Sequence, residues 1–542
     1  MFKKADFTIN SHDNGYKIII WSIIGIGIAL RLFHYFNDRS LWEDEIYLST
    51  GIVKLSLSGL LHQSLDFQQK APIGYLLIVK LCTMLFGSNE MGLRLFPLLC
   101  GIGSLLVILP VAQYSLKPVG VIVALTILAF APPLVYHAVE AKQYCTELFA
   151  TIIILYTYTR YQDKTDLKSF ILWGIWGAII VWFSYSSVFI LAGMACVLSL
   201  YYLIEKRWNT LFKLAIPLVL WFGSFAVNYI IFTQKNAHTG WLVYFFMKHD
   251  AFLPLSAAGI PWLLHQTFAF YNYPMGLSWF ISYHSIGLQI LERMAWVPVI
   301  FTCTGAYYLF KRNKRLLLFI VATFLIVFAA SAIKLYPFHE RLTVFLAPLF
   351  ILLIAAGCQF VFRRETKNVV QYILTGLLLF GPVKNSIAQV ANTGLFGDYK
   401  QAYHREAFEY LNKHYQSGDI VYVYWNDLPA YRFYKMIDSM KFTAIEGTDY
   451  RYTSHNFNEY FNKLNTAFKQ FTGKKRVWIL HNNNFDIEIG DYIGHPEWYY
   501  VHNDGVKQLD KWLATKGKVI EQFKVDNGGV SNVKEMLMGF SK

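Results

Sequence analysis

The chain has 542 residues, of which 55% are hydrophobic, 18% aromatic and 15% charged, with a net charge of +14. That is more apolar and less charged than a soluble domain, and several runs of about 20 apolar residues are long enough to span a bilayer. The positive charge sits in short loops between apolar runs, as membrane topology requires, and no basic helix or aromatic-basic sheet points to nucleic acid.

In chain order, Lys3, Lys4 and Lys17 precede a first apolar segment from about Ile18 to Phe36. No small-residue cleavage site follows, so an uncleaved signal anchor with a cytoplasmic N-terminus is expected. The segment leads to Trp42-Glu43-Asp44-Glu45, three consecutive carboxylates beyond the first span. Lys70-Ala71-Pro72 and the apolar piece 73–86 come next. That piece is short for a span, and loop charge argues that it lies flat on the outer face. Later spans are then expected at 91–115, 119–137, 143–160, 169–187, 189–204, 212–232, 288–310, 316–335, 342–362 and 369–386. This choice puts Lys117, Arg160, Lys164, Lys168, Lys206, Arg207, Lys311, Arg312, Lys314, Arg315, Arg363, Arg364 and Lys367 in cytoplasmic loops. Eleven spans place the C-terminus outside.

A long outer loop is expected over 233–287. It is rich in aromatic residues, among them Trp241, Tyr244, Phe245, Phe246, Trp262, Phe270, Tyr271, Tyr273, Trp279 and Phe280. They suit either an aromatic belt at headgroup level or the wall of a substrate site. After about Asn392 the composition becomes more polar. Buried strands at 419–424 and 476–480 alternate with helical patterns near 402–415, 428–437, 455–471 and 506–516, which predicts a small α/β domain. The expected organisation is a polytopic helical membrane domain over 1–391 and an extracytoplasmic α/β domain over 392–542. The six cysteines, Cys82, Cys100, Cys145, Cys196, Cys303 and Cys358, lie in apolar segments without CxxC spacing, which argues against a disulfide framework or a cysteine zinc site.

Ionisable residues collect at helix mouths on one face: Asp44, Glu45, Lys70, Arg94, Glu140, Lys142, Glu340 and Arg341. Each placement is tolerable at a membrane edge. Together they offer what a transfer from a lipid phosphate needs. Cations hold a leaving phosphate as charge develops on it, and a carboxylate takes the proton of an attacking hydroxyl. His339, beside Glu340, is a candidate proton shuttle or ligand, although such a histidine is more often a hydrogen-bonded interface residue. His34 and His137, at other helix mouths, carry less weight. Asp427, Asp486 and Asp491 in the C-terminal part have no metal-like spacing.

The chain resembles the GT-C superfamily of integral-membrane glycosyltransferases, in particular the protein O-mannosyltransferase and aminoarabinose transferase branches. The motifs that carry this are Trp42-Glu43-Asp44-Glu45, Lys70-Ala71-Pro72, Arg94-Leu95-Phe96-Pro97, Glu140-Ala141-Lys142-Gln143-Tyr144 and Tyr336-Pro337-Phe338-His339-Glu340-Arg341, in the order expected of that family. The sequence departs from it at Gln69, Ala71 and Lys142, and Gln69 argues against a carboxylate metal site. The resemblance implies a polyprenyl-phosphate-linked sugar donor and an inverting displacement onto a glycan, lipid or protein hydroxyl, at the outer face of a bacterial plasma membrane. It implies Asp44 as general base with Glu45 beside it. Lys70 and Arg341 would hold the phosphate, with Arg94 and Lys142 as further candidates. Glu140, Tyr144, His339 and Glu340 become secondary or acceptor-side candidates. A divalent metal is compatible with the sequence but not required by it.

Three other readings are weighed. A lipid-linked-sugar transporter or flippase predicts charges near span midplanes and internal repeats; the charges here lie at the mouths and no repeat is visible. A membrane-anchored binding module would place function in 392–542. A polysaccharide polymerase or ligase would not need the Asp44–Glu45 pair.

Overall fold

Apolar runs form helices because a membrane offers no water to satisfy backbone groups. The computed structural model describes residues 14–233, 240–277, 296–361, 369–483, 494–500, 505–525 and 532–540. Expectations resting on Lys3, Lys4, Trp279, Phe280, Arg363, Arg364, Lys367, Asp486 and Asp491 lie outside them. Among the described residues, seven helical stretches are long and apolar enough to cross a membrane: Asn14–Phe36, Glu90–Ser115, Ser187–Ile204, Trp208–Phe232, Lys314–Ala332, Glu340–Phe360 and Tyr372–Ala391. Ile73–Phe86, Pro118–Phe130 and Leu167–Ile180 are apolar but shorter. Helix Ile73–Phe86 is about 21 Å long at 1.5 Å per residue. Its C-terminal end leaves Leu81, Met84, Leu85 and Phe86 exposed, an apolar face suited to lipid. The stretch Glu340–Phe360 is almost wholly enclosed by the others. Cys196 and Cys303 are exposed, while the other four cysteines are buried thiols.

Two expectations are corrected. The segment 119–137 is not one helix: it splits into Pro118–Phe130 and Pro132–His137 around Ala131. The region 233–287 is not a plain loop; it contains helices Gly240–Lys248 and Gly259–Asn272.

The first break has a legible cause. In a continuous helix the N–H groups of residues 132 and 133 would bond to the carbonyls of Leu128 and Ala129, but both residues are prolines. Arg31, fully buried on helix Asn14–Phe36, takes those carbonyls instead. Its Nη2 donates to Leu128 O at 2.9 Å, and its Nη1 donates to Ala129 O at 3.2 Å and Gly27 O at 2.9 Å. The Ser386 hydroxyl donates to the next carbonyl, Phe130 O, at 2.6 Å. The buried guanidinium thus satisfies backbone that the two prolines leave without donors. Gly101 leaves room for it: a Cβ there would lie 3.2 Å from Arg31 Nε and 2.5 Å from Ala138 Cβ.

After helix Val369–Ala391 the chain enters a sheet layer with helices. Strands β1 (Ile420–Val423), β2 (Ile445–Glu446), β3 (Val477–Asn482), β4 (Gly517–Gln522) and β5 (Val533–Phe540) are ordered β2-β1-β3-β5-β4. β2, β1 and β3 run parallel, and β5 and β4 add antiparallel pairs. Strand β3 is buried throughout, as its apolar run Val477-Trp478-Ile479-Leu480 requires. The strands over 419–424 and 476–480 and all four predicted helices are found. The two-residue β2 and the edge strand β4, largely exposed, had no clear alternation to mark them.

Removing the Arg31 guanidinium leaves the Leu128 and Ala129 carbonyls buried without a donor, at roughly 1–3 kcal/mol each. Arg31→Met is expected to lower the melting temperature of the detergent-purified protein by several degrees, while Arg31→Lys, which can still donate to a carbonyl, loses less. Equal melting temperatures for wild type and Arg31→Met would contradict the assignment.

Candidate active site

The acidic motif is the first turn of a helix rather than a solvated loop. Glu43, Asp44 and Glu45 open helix Glu43–Lys54, where carboxylates are favoured by the unpaired N–H groups. Consecutive helical positions point about 100° apart, so the three acids face three different surroundings, and each meets its own cation.

Glu45 points inward and is fully buried. Arg94, in the second turn of helix Glu90–Ser115, forks onto it, with Nε to Oε1 at 2.9 Å and Nη2 to Oε2 at 2.8 Å. Arg39 Nη1 donates to Oε2 at 3.0 Å, and the Ala141 N–H to Oε1 at 2.7 Å. Burial alone would raise the Glu45 carboxyl, but the Arg39 and Arg94 charges outweigh it and hold the pKa below the usual value. Arg94 also donates to the carbonyls of Arg39, at 2.5 Å, and Ser40, at 3.3 Å. The structure therefore places Arg94 and Glu45 in a tether that fixes the motif.

Asp44 faces a partly open cleft. Arg341 Nη1 pairs with its Oδ2 at 2.7 Å, and Lys142 Nζ lies 3.6 Å from its Oδ1. Lys142 also donates to Gln69 Oε1 at 2.8 Å, which brings the neighbour of Lys70 to the same place. Burial lowers the Lys142 pKa, against the pull of Asp44. Arg341 lies 5.6 Å from the Trp42 ring and 5.9 Å from the Tyr144 ring, cation–π distances. It enters the cleft from the turn Glu340–Leu346, where the Glu340 backbone adopts φ 32, a left-handed conformation uncommon for a residue with a side chain.

Glu140 sits beneath the motif. It accepts from Trp42 Nε1 at 3.2 Å and pairs with His137 Nδ1 at 2.6 Å. Burial would raise its carboxyl, but His137, Lys400 and Arg341 hold it well below the usual range. The other His137 nitrogen bonds the Tyr273 hydroxyl, and Lys400 Nζ donates to that hydroxyl at 3.0 Å. His339 packs against His249 and Phe246. Lys70 lines a groove of about 520 Å³, open mouth included, with Leu60, Leu65, Leu76, Tyr185, Ile231 and Phe232. Burial lowers its pKa. Among the described residues no three His, Cys, Asp or Glu side chains come together to hold a metal.

Glu43 faces the sheet layer. Asn482 Nδ2 donates to its Oε1 at 2.6 Å and Asn532 Nδ2 at 3.3 Å, and His404 Nε2 lies 3.6 Å away. His404 Nδ1 is 3.0 Å from Asp427. More contacts fasten the same loop. Arg405 pairs with Asp38 at 2.9 Å and Glu90 at 3.1 Å, and the Tyr434 hydroxyl reaches Glu90, Ser40 and the Leu41 N–H, each at 3.0 Å.

Lys400, His404 and Arg39 were not singled out from the sequence, Glu43 was named only as part of the acidic motif and Tyr273 only among the aromatic residues of 233–287, and His137 was given little weight. The i, i+3 spacing of His137 and Glu140 was the one local signal available; Lys400 and His404 stand in a connecting segment without a motif.

Burial opposes the charged form of His404, but Asp427 and Glu43 raise its pKa from 6.5 to about 10. A folded-state pKa above the unfolded one gives stability that is complete below about pH 6.5 and lost as pH rises through about 10. The melting-temperature gap between wild type and His404→Gln is therefore expected to narrow from pH 6.5 to pH 10. A gap that stays constant or widens with pH would contradict the charged His404.

Residues 70–232 match the family model for dolichyl-phosphate-mannose-protein mannosyltransferases. Among curated protein sequences no match is found. Among solved structures the chain is similar to ArnT from Cupriavidus metallidurans bound to undecaprenyl phosphate, with 11% identity, a TM-score of 0.51, and coverage of 97% of this chain and 98% of that one. It also matches the Archaeoglobus fulgidus oligosaccharyltransferase in complex with zinc and sulfate, at 14% identity and a TM-score of 0.49, over 96% of this chain and 73% of that one. Residues 70–232 are thus similar to a mannosyltransferase family, and the chain as a whole shares the fold of ArnT, an integral-membrane architecture.

Proposed function

We propose that the protein moves a sugar from a polyprenyl-phosphate donor to an acceptor hydroxyl at the outer face of the membrane, by a single inverting displacement. One observation carries this reading: Asp44, a partly exposed acid of the motif, is paired with Arg341 and lies beside Lys142. A base and the cations for a leaving phosphate thus occupy one cleft. Donor binding would transfer Arg341 from the Asp44 carboxylate to the phosphate. That leaves Asp44 free to accept the proton of the acceptor hydroxyl as the hydroxyl oxygen attacks the anomeric carbon.

Glu45, saturated by Arg39, Arg94 and the Ala141 N–H, serves to hold the helix rather than to meet substrate. The groove at Lys70 has a mixed lining, with Leu60, Leu65, Ile231 and Phe232 beside His62, Gln63, Ser64 and Gln69, and a lipid phosphate held there would lie near that lysine. ArnT, which shares the fold, binds undecaprenyl phosphate, in keeping with a polyprenyl carrier here. In the proposed topology the N-terminus is cytoplasmic, eleven spans cross a bacterial plasma membrane, residues 1–391 form the catalytic membrane domain and residues 392–542 an extracytoplasmic domain, as the basic loops require.

Asp44→Asn keeps the shape and removes the basicity. It is expected to lower turnover by about 10²–10⁴-fold while donor binding persists. Glu45→Gln should instead lower thermal stability along with activity, because it leaves two arginines without their shared anion. Normal turnover by Asp44→Asn would refute the assignment of the base.

A further inference from the structure

We propose that Tyr185, held in place by the buried Glu147, is a positioning residue for the donor. It fixes the loop that carries Lys70 and so sets where that ammonium stands in the groove. The inference rests on the proposed function above, in which the donor phosphate lies near Lys70.

Glu147 lies in the apolar helix Tyr144–Tyr161, one turn beyond Tyr144, and is 5% exposed. An ionisable side chain inside a membrane domain is expensive, and its partners show what it is for. The Glu147 carboxyl accepts from the N–H groups of Tyr185 and Ser186 and from the Ser186 hydroxyl. All three donors belong to the turn between helices Leu167–Ile180 and Ser187–Ile204. The turn is also closed on itself. The Ser187 N–H donates to Ser184 Oγ at 3.1 Å, and the Ser187 hydroxyl donates to Ser184 O at 2.6 Å. Glu147 thus supplies acceptors to backbone N–H groups beside a helix start and fixes Tyr185 by its main chain.

The same turn holds the Lys70 loop. The Tyr185 hydroxyl donates to Ala71 O at 2.9 Å, and the Gly74 N–H donates to Trp182 O at 2.9 Å. A Cβ at Gly74 would lie 2.8 Å from Trp182 O and 3.0 Å from the Phe183 ring, so this close approach needs glycine. On the other side of Lys70, Gln69 Oε1 accepts from Lys142, which stands beside Asp44. Residue 70 is therefore held between two anchors, one on the cleft and one on the turn. Tyr185 lines the groove together with Lys70. Trp182 packs edge-on against Phe232, another residue of the groove wall, with ring centroids 5.8 Å apart. A lysine side chain already gives up much rotamer freedom when it grips a phosphate. A backbone that is fixed beforehand removes the loop's share of that cost from donor binding.

The test is a double-mutant cycle on the full-length protein in lipid nanodiscs, read as the Kd for a polyprenyl phosphate. Tyr185→Phe removes only the hydroxyl and is expected to weaken binding about three- to tenfold, the worth of one hydrogen bond. In a Lys70→Met background the same substitution should leave Kd unchanged, because the lysine it positions is gone. A tyrosine that only stabilises the fold would cause the same loss in both backgrounds. Glu147→Ala, which releases the turn, should show the same dependence on Lys70, and Glu147→Gln, which keeps an acceptor oxygen, should lose less. Equal losses in both backgrounds, or no loss from Tyr185→Phe, would overturn the role of Tyr185 and leave the phosphate site at Lys70 standing. No loss from Lys70→Met alone would overturn the donor reading of Lys70, and the positioning role with it.

Discussion

Three adjacent carboxylates can share a poorly hydrated cleft only if each has a cation of its own. The rest of the site follows from how those cations are delivered. Glu45 is held by Arg39 and Arg94, which come from the end of the first span and the start of a later one. Glu43 is answered by His404 from the sheet layer. Asp44 is paired with Arg341 at the mouth of the most enclosed membrane helix. Glu45, Arg94 and His404 are the most deeply buried of these groups. The Asp44–Arg341 pair is partly open at both side chains.

This arrangement ties the sheet layer directly to the acidic motif. Arg405, Tyr434, Asn482 and Asn532 all grip residues 38–45 or Glu90, so the helix carrying Asp44 is clamped from both sides. Lys400 reaches the cleft from the same part of the chain. Preorganisation of this kind costs nothing at the moment of reaction, and in a site of low dielectric it is worth more than the same charges would be in water.

Much of this was legible in the sequence. Apolar run length marks the membrane helices, and the ordered motifs around Asp44, Lys70, Arg94, Glu140 and Arg341 mark the cleft. The expectation of one span over 119–137 misses the break at Pro132–Pro133, although two adjacent missing N–H groups must break a helix and orphan two carbonyls; its partner Arg31 lies about a hundred residues earlier and no local rule connects them. The same holds for Glu43 with His404 and for Trp42 with Lys400. Side chains that meet across hundreds of residues leave no spacing to read. Nor could composition show that the helix-opening acids point in different directions, which is what separates the tethered Glu45 from the available Asp44.

The central claim is that the donor's phosphate takes Arg341 from Asp44 and so uncovers the base. A structure of the protein in a lipid nanodisc with a polyprenyl phosphate bound tests it most directly. The account predicts the phosphate against Arg341, with the Asp44 carboxylate beyond ion-pairing distance of that guanidinium and open to the cleft. A phosphate bound elsewhere, with the Asp44–Arg341 pair still closed, would contradict it.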